Sequence, residues 1–245
     1  MIAKSLIAVN ALAVTSALAA AWAVRGRSST LLGPVTWHGP RNVRAIALTF
    51  DDGPSESTPR LLDLLDEYQA QATFFVCGHN VQRLPGVARD IVVRGHEIAN
   101  HTHSHAALYL QGRDAIRREV VTAQTQIADT TGVTPRLFRP PFGCRWPGLA
   151  AVLQQQNLQL IMWSTIARDW RLAAAPVATR LANAASAGAI FCLHDGRELN
   201  ANPDISATLG AVRVIIPKLG QNGFRFPTVS QLICPTSFPT PQSTP

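Results

Sequence analysis

From residue 45 to residue 228, short apolar runs alternate with stretches of helical periodicity, and this limits the chain to a few architectures. Ala45–Phe50 (AIALTF) reads as a buried strand. Thr58-Pro59 then opens a helix, with Thr58 as N-cap and proline at the first helical position. Leu61, Leu64, Leu65 and Tyr68 fall on one face of that helix. Further strands are expected over 72–77, 97–100, 137–139, 158–163, 189–193 and 224–228. Between them, helices are expected over 85–94, around Ile116, Val120, Ala123 and Ile127 up to Gly132, and over 147–157, 176–187 and 205–221. Apolar strands joined through helices make an α/β fold, a parallel sheet covered by helices. About seven strands are enough to curl into a barrel, with an open doubly wound sheet as the alternative. Neither GxGxxG nor GxxxxGK[ST] follows the first strand, which weighs against a nucleotide-binding version.

The ends differ in character. Residues 5–24 are apolar, with Lys4 before them and Arg25 and Arg27 after them. Ala17-Leu18-Ala19 and Ala21-Trp22-Ala23 have the small-residue pattern of cleavage sites. Residues 1–24 therefore read as a signal peptide or a signal anchor, and the chain as exported: secreted, periplasmic or held at a membrane. Residues 25–43 read as a lead-in, 44–232 as one catalytic domain, and 233–245 as a proline-rich tail. Lys and Arg total 22 against 15 Asp and Glu, a net charge of +7. The arginines are scattered, with no run longer than Arg117-Arg118, so no nucleic-acid partner is expected. A basic surface of this kind suits work beside an anionic envelope. Cys77, Cys144, Cys192 and Cys234 form no CxxC pair, against a zinc ribbon or a thioredoxin-like site. Cys77 and Cys192 lie in apolar strands and read as small core residues.

Chemistry concentrates just beyond the strands, where parallel α/β folds place their active sites. Asp51-Asp52-Gly53-Pro54 follows the first strand and His101-Thr102-His103-Ser104-His105 the third. Arg139-Pro140-Pro141-Phe142-Gly143, Arg168-Asp169-Trp170 and His194-Asp195 follow the next three. Any one of these is compatible with turn chemistry; five in succession are not. Two adjacent carboxylates at the end of a buried strand are costly unless neutralised, and a divalent cation would do so. His101 and His105 are four apart, a spacing that puts both rings on one side of a helical turn. Two imidazoles and one carboxylate leave coordination positions open, as a catalytic metal requires.

The roles divide accordingly. Asp52, His101 and His105 take the metal, with zinc first and cobalt, nickel or manganese as alternatives. Asp51 remains free as general base on a metal-bound water, and Arg139 pairs with it. His194 serves as acid, kept protonated by Asp169.

Together these five motifs resemble those of the polysaccharide deacetylases, carbohydrate esterase family 4, which share the NodB homology domain. The resemblance spans residues 44–232 and implies a distorted (β/α) barrel with about seven parallel strands. It also implies metal-dependent removal of acetyl groups from sugars. By the same resemblance the backbone N–H of Phe142 is an oxyanion donor, and Trp170 and Leu193 form the pocket for the acetyl methyl. The implied substrates are glycans containing N-acetylglucosamine, either peptidoglycan or chitin-like; the chain itself is expected to be a monomer. An O-acetyl xylan esterase, a small-molecule amidohydrolase and a non-catalytic carbohydrate-binding protein are the alternatives. One position departs from the family pattern: Ile166 stands where many members carry the first aspartate of Asp-x-x-Asp-Trp.

Overall fold

The computed structural model describes residues 2–234, with side chains placed from residue 14 onward. Its strands are β1 (Ile46–Asp51), β2 (Ala72–Val76), β3 (Glu97–Asn100), β4 (Leu137–Phe138), β5 (Gln159–Leu160), β6 (Thr165–Ile166) and β7 (Ala189–His194). Its helices are α1 (Ile2–Arg25), α2 (Thr58–Glu67), α3 (Gly78–Arg83), α4 (Pro85–Val93), α5 (Arg113–Thr131), α6 (Leu149–Gln155), α7 (Ala174–Asn183), α8 (Ser206–Gln221) and α9 (Val229–Ile233). All strand pairings are parallel, in the order β5-β4-β3-β2-β1-β7-β6. The sheet curls into a distorted half-barrel whose edge strands, β5 and β6, do not pair with each other. Thr36 of the lead-in bridges to Ile161 just past β5.

Two-residue alternation sorts the apolar side chains. Ala45, Ala47, Phe75, Ala99, Leu137, Ile161 and Ile190 share one cluster with Val229 and Leu232 of α9, filling the inside of the curl. Ile46, Leu48, Phe50, Phe74, Val76, Phe191 and Leu193 belong to the larger cluster with α2, α4, α7 and α8. A third cluster joins β4 and β5 to α5 and α6. Burying a large aliphatic or aromatic side chain contributes roughly 1.5–3 kcal/mol, so these layers dominate stability. Gly188 closes the turn into β7 with φ +83, where a Cβ would lie 2.5 Å from the Pro40 carbonyl oxygen.

The count of seven strands agrees with expectation, but one member differs. The stretch 224–228 is not a strand. Only Arg225 bridges, to Ala45. Pro227 has no N–H for a ladder, and Thr228 caps α9 in a capping box with Gln231. The seventh strand is β6, which lies outside every expected strand and is paired to β7 through Thr165↔Phe191 and Ile166↔Cys192. Thr58 begins α2 without capping it. Its Oγ1 accepts from the Ser55 N–H and donates to Asp195 Oδ2.

The lead-in is irregular but fixed in place. Arg145 is buried and donates to the carbonyls of Gly26 and Ser29, and its own N–H donates to Val24 O at 3.0 Å. Arg27 donates to Ser164 O and lies over the Trp37 ring. Among the described residues no helix is long and apolar enough to cross a membrane. The proline-rich tail, from residue 235 on, lies outside the described residues.

Candidate active site

Asp51 is the last residue of β1 and stands in register with His194, the last residue of β7. Odd-numbered residues of β1 face the inside of the curl, so the Asp51 carboxylate enters the mouth. Asp52 follows in a left-handed conformation, φ 73, tolerated by aspartate better than by most residues. Its carboxylate turns toward the end of β3. Oδ1 lies 3.3 Å from His101 Nε2 and 3.1 Å from His105 Nε2, and Oδ2 accepts from the Glu198 N–H at 2.9 Å.

The segment 101–105 is not a helical turn, contrary to the spacing argument. Thr102 and His105 have φ of 68 and 55. Asn100 Oδ1 accepts from the Thr102 N–H, while its amide donates to Val120 O and Gln124. Glu119 of α5 accepts from the N–H groups of His103 and Ser104. This stapled loop, and not helical periodicity, brings the two imidazoles together.

His101 Nδ1 donates to the Arg139 carbonyl at 2.7 Å, which leaves Nε2 as a lone-pair donor toward Asp52. The Asp52 carboxylate, the His101 Nε2 and the His105 Nε2 therefore converge on one buried point, a donor set suited to a cation at its centre. Donors bound about 2.0–2.2 Å from a shared ion sit roughly 3.3 Å apart, close to the spacings found here. The residues fit a divalent metal. Burial opposes the charge on Asp52, but the adjacent imidazoles of His101 and His105 outweigh it and hold the carboxyl well below its usual range.

Arg139, fully buried, spans the mouth. Nη1 donates to Asp51 Oδ1 at 2.6 Å and to Thr49 Oγ1 at 2.7 Å, while Nε and Nη2 reach Ile161 O and Met162 O. The guanidinium packs 4.0 Å over the Phe75 ring. The other Asp51 oxygen accepts from the Cys192 thiol at 3.4 Å.

Across the mouth, His194 Nδ1 donates to Asp169 Oδ1 at 2.9 Å. Asp169 Oδ2 accepts from the His194 N–H and from Thr208 of α8. Burial alone would lower the His194 pKa, but the Asp169 charge and hydrogen bond, helped by Asp52 and Asp51, raise it to about 9. Burial pushes the Asp169 carboxyl up, and His194 more than reverses this. Asp195 lies under the loop. Its N–H donates to Asp51 O and its carbonyl accepts from Ser55 Oγ. Burial, only partly offset by Thr58, brings its carboxyl up to about 7, with the Asp52 and Asp51 charges adding to the rise.

Asp51, Asp52, His101, His105 and His194 open into a cavity of about 510 Å³, whose other walls include Phe142, Trp163, Ile166, Trp170 and Cys192. Phe142 has φ 59, and its ring meets His105 edge-on at 4.8 Å. Trp170 meets His194 edge-on at 4.9 Å. Leu193 is a correction. It is fully buried in the helix-facing cluster, because alternation along β7 turns Cys192 and His194 to the mouth and Leu193 away. The same rule would have placed Cys192 at the site from sequence. It is no mere core residue. Thr208, Glu119 and Asn100 carried no comparable signal.

Residues 38–161 match the family model for polysaccharide deacetylase. A peptidoglycan-N-acetylglucosamine deacetylase of Bacillus cereus is 36% identical over 82% of this chain and 93% of its own length. A chitooligosaccharide deacetylase of Bradyrhizobium sp. is 35% identical over 77% of this chain and 90% of its own. The crystal structure of the Bc1960 peptidoglycan N-acetylglucosamine deacetylase superposes with a TM-score of 0.76, at 29% identity over 82% of this chain and 92% of that one. BA3943, a pseudoenzyme of carbohydrate esterase family 4 from Bacillus anthracis, superposes at 0.75, with 25% identity over 82% of this chain and 69% of that one. Likeness of fold therefore does not by itself decide activity, and the site must. In relatives of both kinds the likeness spans most of this chain, which belongs to the polysaccharide deacetylase family.

Proposed function

We propose that the chain is an exported hydrolase that removes N-acetyl groups from glycans containing N-acetylglucosamine, with peptidoglycan favoured over chitin-like polymers. The observation that carries this reading is the register pair Asp51↔His194, which sets an ionisable base and an ionisable acid on adjacent strand ends beside Asp52, His101 and His105. Zinc suits two imidazoles and a carboxylate, and cobalt, nickel or manganese can take the same donors. Held there, a divalent cation would polarise the acetamido carbonyl and make water more acidic.

The chain's own residues supply the rest. Asp51, aimed by Arg139, takes a proton from the attacking water. The Phe142 N–H donates to the developing oxyanion. His194, held charged by Asp169, gives its Nε2 proton to the departing amine. Trp163, Ile166 and Trp170 wall the space for the acetyl methyl. Similarity to enzymes named for peptidoglycan and chitooligosaccharide supports the substrate class and, with the apolar segment at residues 5–24, export. We assign residues 1–24 to targeting, 25–43 to the lead-in, 44–232 to the catalytic unit working as a monomer, and 233–245 to the tail.

The test is acetate release from purified peptidoglycan, chitin oligomers and acetylated xylan, after chelation and again after adding metal back. Release from the first two, lost on chelation and restored by metal, is expected. Release from xylan alone would shift the assignment to an O-acetyl esterase, and release from none would refute a deacetylase.

A further inference from the structure

The cavity wall carries a second group of metal-ligand side chains beside Asp52, His101 and His105. Asp51, Cys192 and His194 each offer one donor atom, all within 4.8 Å of one another. Cys192 Sγ already sits 3.4 Å from Asp51 Oδ2, close to the roughly 3.5 Å edge between a sulfur and an oxygen bound to one tetrahedral zinc. His194 is tethered through Nδ1 to Asp169, so Nε2 is the nitrogen left for the cavity. A carboxylate bonded to its free ring N–H is the usual support of a metal-binding histidine.

We propose that Asp51, Cys192 and His194 form a second, inhibitory site for a thiophilic divalent cation, zinc above all. Occupation takes both the base and the acid out of use. The inhibitory half rests on the roles given to those two residues under Proposed function; the binding half does not. Binding breaks the Cys192 S–H bond and the His194 Nε2–H bond, forms bonds from the metal to Sγ and Nε2, and releases both protons to solvent. Two protons leave as one dication enters, so the net charge facing Arg139 is unchanged. The thiolate makes the site selective. Zinc and cadmium favour sulfur, whereas manganese favours oxygen.

The full-length protein, stripped by chelation, is titrated with zinc in equilibrium dialysis and with cadmium in ultraviolet absorbance. Acetate release is measured at one equivalent and in excess. About two zinc ions per chain are expected for the wild type and about one for Cys192→Ala. A thiolate-to-cadmium band should rise during the titration and be missing in the variant. Going from one equivalent to excess zinc should slow the wild type by about tenfold or more, and Cys192→Ala by less than about twofold relative to its own rate. Excess manganese should slow neither. Cys192→Ser keeps a hydroxyl toward Asp51 and should behave like the alanine variant, which guards against a packing defect. A single equivalent bound, a band that persists in Cys192→Ala, or equal zinc inhibition of wild type and variant would overturn the proposal. A second equivalent bound through Cys192, with no acetate released at any loading, would overturn the deacetylase reading and the inhibitory role and leave the metal site standing.

Discussion

Asp169 decides whether His194 reaches the reaction carrying a proton. The acid works in its protonated form, so activity should fall as pH rises through the His194 pKa of about 9. Asp169→Asn removes a negative charge 2.9 Å from Nδ1, and a histidine that loses an anionic neighbour holds its proton less firmly. The alkaline limb of kcat should then move down toward the ordinary value of ~6.5, as a pH-rate profile would show. An unmoved limb would take His194 out of the acid role. Asp51→Asn keeps the shape and loses the base. It should lower kcat by about 10²–10⁴ while binding of one metal equivalent at Asp52, His101 and His105, followed by dialysis, persists. Arg139→Met leaves the Asp51 charge buried beside a lost partner, which should destabilise the fold by about 3–5 kcal/mol, read from denaturant unfolding.

At the scale of elements, β7 has two faces with different tasks. Leu193→Ala should cost about 2–5 kcal/mol of stability and leave KM almost unchanged, since its side chain belongs to the helix-facing core. A large KM rise with normal stability would return it to the methyl pocket. The long strands and helices were legible because their periodicity is strong: β1, β2, α5 and α8 lie close to where the pattern puts them. The two-residue strand β6 was not, because its pairing is created by β7 across the fold and leaves no local trace. The stretch 224–228 shows the reverse error, since its apolar run is read correctly but Pro227 and the Thr228 cap decide otherwise. Asp51, Asp52, His101, His105, Arg139, Asp169 and His194 were legible as a set because each lies at or just beyond the end of a strand. Their supports were not. Asn100, Glu119 and Thr208 act through hydrogen bonds across sequence gaps of between 2 and 39 residues, which no motif records.

For the molecule as a whole, the N-terminal segment is part of the fold from Val24 on. Arg145 is buried without a carboxylate partner among the described residues, and the backbone carbonyls of Gly26 and Ser29 hold its charge. Arg145→Ala should free residues 24–36 to proteolysis while the barrel stays resistant, a difference visible in limited digestion. Chelation should lower Tm, because a cation bound only by the folded state at ~100 times its Kd adds about 2.7 kcal/mol. Arg139 links the halves of the site in one further way. Its guanidinium grips Asp51 from one side while its carbonyl grips His101 from the other. A shift at the end of β4 should therefore carry the base and a metal ligand in the same direction. Fluctuations of this incompletely closed barrel are then expected to be common-mode at the reacting centre, changing the distance between the two groups less than the position of either.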